Sequence, residues 1–131
     1  MKGRLAGLLV GVALCLGACS HHHTDDSDEI NVVPTHYKAD ILAAMHAYFN
    51  DPTDIRDAAI SEPALKSVDG LTRYAVCVRF NAKQSGTTYA GIRDFAAVFV
   101  AGQFDRFVEN PHDQCAGAAY TPFPELEKLP R

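Results

Sequence analysis

An α+β domain is predicted: one amphipathic N-terminal helix packed on a three- or four-stranded antiparallel sheet, with a C-terminal coil tethered by a disulfide. Three observations carry this. Over residues 36–50, Ile41, Leu42, Met45, Tyr48 and Phe49 fall at i, i+1, i+4, i+7 and i+8, one stripe of a 3.6-residue period. Over residues 73–81, Tyr74, Val76, Val78 and Phe80 alternate with Ala75, Cys77 and Arg79, the two-residue period of a strand. Finally, Cys77 and Cys115 make an even pair downstream of an export-like N-terminus, a pattern that reads as a disulfide. Two buried free thiols or a metal pair are the alternatives, and no histidine sits at ligand spacing from either cysteine.

The N-terminus comes first in the chain. Lys2 and Arg4 precede an unbroken apolar run over residues 5–16, and small residues lead to Cys19, which is the layout of an export signal. As a helix those twelve positions reach only about 18 Å, against roughly 30 Å of hydrocarbon to be crossed. The ending Leu16-Gly17-Ala18-Cys19 resembles the lipobox of bacterial lipoproteins. That resemblance implies cleavage before Cys19, a diacylglyceryl group on its thiol and acylation of the new amino group. Two or three chains give stable anchoring, at ~0.8 kcal/mol per buried methylene. Cys15 would leave with the signal. Ser20 stands where an aspartate tends to hold such lipoproteins at the inner membrane, so the resemblance implies the outer membrane, periplasmic face.

Residues 1–18 are therefore expected as signal peptide, 19–35 as lipidated cysteine and polar tether, and 36–131 as one small domain. The stretch from Ser20 through His21-His22-His23 to Asp28-Glu29 has almost no apolar content and cannot bury a core. Its three histidines have no preset geometry, so no metal site is assigned. In the helix that follows, Thr35 after Pro34 is the expected N-cap and Asp51-Pro52 the expected stop. His46 borders the apolar stripe as a half-buried packing residue. Residues 55–61 fit a helical turn or a first strand, Pro63 breaks them, and Asp69-Gly70 marks a turn.

The clear strand at 73–81 puts Cys77 on the face opposite the large apolar residues, with the Cys115 segment across the second face or at the edge. Residues 83–88 read as a hairpin-like loop. A third strand is expected from Ile92 or Phe95 to Val100 and a fourth over 104–109, with 110–113 a loop. Residues 116–131 hold Pro122, Pro124 and Pro130 and read as extended coil.

Without residues 1–18 the chain keeps 10 basic against 16 acidic residues, a net charge of −6. That argues against nucleic acid, which needs a basic face. No Gly-x-Ser-x-Gly elbow, Walker loop, dinucleotide fingerprint, His-Glu-x-x-His or Cys-x-x-Cys is present. Ser85, His112 and Asp113 can be drawn as a triad, but geometry identifies triads, not composition. Asp54, Asp57, Glu62 and Asp69 read as surface charges. No catalytic residue, cofactor or metal is assigned.

Asn81-Ala82-Lys83 followed by Gly86, Tyr89, Ala90 and Gly91, together with Asp51-Pro52 after the helix and Cys77 in the strand, resembles small envelope lipoproteins of alphaproteobacterial type. The likeness runs from about Tyr37 onward, and no activity comes with it. The leading functional expectation is a non-enzymatic interaction or accessory module in the periplasm. Its partners are membrane lipid, through the acyl chains, and an envelope protein or glycan, met by Phe104, Phe107, Tyr120 and Phe123. The alternatives are a small cell-wall hydrolase, a hydrolase inhibitor presenting residues 83–88, or a purely structural surface lipoprotein.

Overall fold

The structure, a computed structural model, describes residues 26–131. The lipobox, Cys15, Cys19 and the histidine tract lie outside the described residues. The dominant feature is one antiparallel sheet of six strands: β1 (Arg56–Ile60), β2 (Ala64–Val68), β3 (Leu71–Ser85), β4 (Thr88–Val100), β5 (Gln103–Glu109) and β6 (Thr121–Pro122). Helices are small. The one longer helix described is α2 (Tyr37–Tyr48); α1 (Asp26–Ile30), α3 (His112–Cys115) and α4 (Pro124–Glu127) are about one turn each.

This corrects the expected α+β domain with three or four strands. The protein is mostly a six-stranded antiparallel sheet with small helices on it. The expected C-terminal coil, residues 116–131, instead contains β6 and α4, and α3 forms where the loop over 110–113 was expected to lead to Cys115. Two prolines of this segment start or edge its elements instead of breaking them. Pro124 occupies the first turn of α4, where a missing N–H costs nothing. Pro122 sits on the outermost strand, the place sheets tolerate it.

β3 is the spine. β4 pairs along one edge of it, from Tyr74↔Phe99 to Ser85↔Thr88. On its other edge β2 pairs with the first part (Val68↔Leu71 to Ala64↔Ala75) and β1 with the second (Ile60↔Val78 to Arg56↔Asn81). Between β1 and β2, Ser61 keeps the ladder continuous. Its N–H donates to the Cys77 carbonyl at 2.9 Å, and its hydroxyl accepts from the Cys77 N–H at 2.8 Å. β3 thus runs past the expected end at Asn81, and residues 83–88 are mostly strand around a tight turn at Gly86, whose φ of +53° suits glycine.

Alternation along β3 sends Val76, Val78, Phe80 and Ala82 to one face. There they meet Ile41 and Met45 of α2, Ile55, Ala58, Ile60, Phe95, Phe99, Phe123 and Leu126 in the main core. The opposite face carries a smaller cluster of Cys77, Ala96 and Cys115, flanked by Val108, Ala118 and Tyr120. Cys77 and Cys115 form a disulfide 38 residues apart in sequence, which holds α3 on that second face. At the N-terminal side, the Ala101 N–H donates to the Ile30 carbonyl at 2.7 Å, so residues 30–34 run beside the β4–β5 turn, with Pro34 buried.

Candidate functional site

A groove of about 610 Å³ lies between α2 and the edge strand β5. Two local features make it. On α2, Ala43, Ala44 and Ala47 recur at i, i+1 and i+4, so a face of methyl groups stands beside the buried Ile41–Met45 stripe. On β5, register slips by one residue between Val98↔Arg106 and Phe99↔Phe104, a β-bulge at Asp105. Strict alternation would put Phe104 and Phe107 on opposite faces, because they are three apart. The bulge brings both onto the α2 face, with ring centroids 4.8 Å apart.

The two rings continue inward. Phe104 meets Phe99 edge-on at 6.0 Å, and Phe107 meets Tyr48 at 5.6 Å and Phe95 at 6.3 Å. The groove floor is thus tied to core aromatics rather than to loose surface chains. Tyr48 closes one end, half-exposed, with its hydroxyl donating to Glu109. That bond, then burial, raises the phenol above its ordinary range, so it stays a neutral donor. Asp40 and Arg106 stand at the rim. Arg106 is committed elsewhere, to Asp69 at 2.6 Å and to Asp105. The groove therefore presents mostly methyl and aromatic surface, to which Asp40 and Gln103 add polar groups.

The four aromatics expected to meet a partner do not form one surface. Phe104 and Phe107 line the groove, but Phe123 is 1 % exposed in the main core, where its N–H donates to the Ala58 carbonyl. Tyr120 lies on the opposite face. The Arg79 guanidinium stacks on its ring at 4.3 Å and binds both Asp94 oxygens, at 2.7 and 3.0 Å. Its hydroxyl is closed off from solvent without a well-formed hydrogen bond. Burial, then the neighbouring Asp94 charge, raises its pKa. Phe123 therefore offers no contact surface, and Tyr120 offers one only with Arg79 on top of it.

His46 is exposed on α2 rather than half-buried. Ser85, His112 and Asp113 are not brought together. The register sets Ser85 opposite Thr88, whereas His112 lines a separate polar hollow of about 330 Å³ with Ile92, Arg93, Asp94 and Asn110. Four residues of strand, about 13 Å, separate Thr88 from Ile92. Among the described residues no group of three His, Cys, Asp or Glu side chains is placed to hold a metal. The run from Asn81 to Gly91 is architectural. The Asn81 side chain accepts from the Gly91 N–H at 2.9 Å, where Gly91 takes φ +93° at an irregularity of the β3–β4 pair. Lys83 pairs with Asp54, and Tyr89 donates to the Asp54 carbonyl while lying under Arg56.

The alanines of α2 are what the sequence reading missed. Their i, i+1, i+4 spacing was visible, but methyl groups carry too little hydrophobic weight to mark a face beside Ile41 and Met45. No family model, no curated protein and no solved structure matches this chain.

Proposed function

We propose that the chain is an exported, lipid-anchored envelope protein that works as a non-enzymatic binding module, with the α2–β5 groove as its partner site. The groove carries the reading. Its floor of Ala43, Ala44, Ala47, Phe104 and Phe107 is apolar, and the polar groups of Asp40, Tyr48, Gln103 and Arg106 are a minority of the lining, which favours an apolar protein segment edged by polar groups. The aromatic floor is braced from behind by Phe95 and Phe99, the preorganisation expected of a site that accepts a partner side chain without rearranging. The lipobox at Leu16-Gly17-Ala18-Cys19 supports anchoring through Cys19. Ser20 after it supports the outer membrane, and the disulfide is in keeping with an oxidising compartment.

A photoactivatable residue at Ala43, an exposed position of the groove lining on α2, tests this in intact envelopes. One discrete adduct is expected, and Ala47→Glu should abolish it without lowering the melting temperature, since position 47 is exposed. Recovery of monomer alone, or an adduct indifferent to Ala47→Glu, would remove the groove from consideration.

A further inference from the structure

We infer that the end of the sheet formed by the β2–β3 and β4–β5 turns, carrying Val32, Val33 and Leu71, seats on the surface of a zwitterionic phospholipid bilayer. The inference rests on the proposed acylation of Cys19 and adds which part of the domain meets the membrane.

The N-terminal segment enters the fold at one defined place. The Ala101 N–H holds the Ile30 carbonyl, and Val32 packs so close to Gly102 that a Cβ there would lie 3.3 Å from its Cγ1. The pairing Tyr74↔Phe99 puts Leu71 at this same end. The β3–β4 hairpin tip at Gly86-Thr87 lies at the other end of β3, fifteen residues or about 50 Å away. From Cys19 to Ile30, where the chain is tied to the β4–β5 turn, there are eleven residues, which even fully extended span at most about 40 Å. An inverted domain would need a leash of about 50 Å, so the hairpin tip cannot be the seat.

Surface chemistry then selects end-on contact. Val32, Val33 and Leu71 are 47 %, 52 % and 55 % exposed at the near end, where the turn residue Asp69 is neutralised by Arg106, whereas the far tip is Gln84, Ser85, Gly86, Thr87 and Thr88 with no exposed aliphatic side chain. Ile92 is as exposed, but it stands in mid-strand away from the turn end, and single exposed aliphatics are ordinary. The net charge of −6 from Cys19 onward disfavours an anionic surface, which is why a zwitterionic one is specified.

The chain contains no tryptophan, so a single introduced indole reports its own position. The chain from Cys19 onward, coupled through that thiol to a maleimide phospholipid in phosphatidylcholine vesicles with brominated acyl chains, should lose emission in Leu71→Trp and in Val33→Trp. Thr87→Trp should keep its emission. Quenching at all three positions, or at Thr87→Trp alone, or at none, overturns the seat. Two near-end positions guard against one of them disturbing the fold. Because the lipid is attached chemically, this result judges the seat by itself. The intact mass of the exported protein judges acylation: an unmodified Cys19 there would overturn the anchor reading and leave the vesicle result to stand or fall alone.

Discussion

Arg79, Asp94 and Tyr120 form the most connected polar group on the second face of the sheet. Arg79 and Asp94 sit opposite each other on β3 and β4, so the bidentate ion pair follows from register, and Tyr120 is trapped beneath the guanidinium. The Arg79 hydrogen bonds hold the Asp94 carboxyl below its ordinary pKa, against an opposing contribution from burial. A carboxyl with a lowered folded-state pKa stabilises the fold above its unfolded value, about 4, and that contribution is lost as pH falls through the folded value. Both side chains are partly exposed, which limits the pair to roughly 0.2–1 kcal/mol. Asp94→Asn is therefore expected to be less stable than the parent by that small margin at pH 6 and indistinguishable from it near pH 2. Melting temperatures of the two proteins across that range check it, and a gap independent of pH would mean the charge is not what Asp94 contributes.

The elements depart from strict alternation at a few joints, and those joints are where sequence reading fails. The 3.6-residue stripe of α2 and the alternation around Val76–Phe80 were legible because Ile41, Met45, Val76, Val78 and Phe80 all end in the main core. The bulge at Asp105 was not, since a one-residue slip leaves no mark on composition; it alone sets Phe104 and Phe107 side by side. β1 hides another: register slips between Arg56 and Ala59, with Asp57 at φ +54°. β2 was hidden for a different reason. Ser61 looked like the end of a segment, yet it replaces a ladder position for Cys77 and lets two short strands share one edge. Ser61 is 8 % exposed, so Ser61→Ala leaves the Cys77 N–H buried without its acceptor, which costs about 1–3 kcal/mol. Ser67→Ala, on the exposed side of β2, is expected to stay within about 0.5 kcal/mol of the parent. Urea midpoints separate the two, and equal effects would show that the joint is not held by the hydroxyl.

At the level of the whole molecule the two faces of the sheet are unequal. The α2 face holds a cluster of fourteen buried residues, including Phe80, Phe95, Phe99 and Phe123, while on the opposite face Cys77, Ala96 and Cys115 cluster beside the buried pair Ala75 and Val98. The first is the larger apolar cluster; on the second, a smaller one is supplemented by the covalent link. Closing a loop of 38 residues is worth on the order of 3–4 kcal/mol through the unfolded chain, a large share of the 5–15 kcal/mol typical of a domain. The ends of the bridged segment are not otherwise equivalent. Beyond Cys115 the chain re-enters the main core at Phe123 and Leu126, and Glu127 accepts the Ala58 N–H at 3.1 Å, so α4 has its own hold on β1. Before Cys115, α3 has chiefly the disulfide and the Gln114 side chain, which donates to the Ser67 carbonyl at 3.0 Å. The double variant Cys77→Ala/Cys115→Ala is thus expected to fold, with stability lowered by about 3–4 kcal/mol. Amide exchange should quicken first over α3 and residues 116–120, while β3, β4 and α4 keep their protection. Exchange that quickens uniformly across all six strands would instead make the sheet a single cooperative unit, in which the second face is as integral as the first.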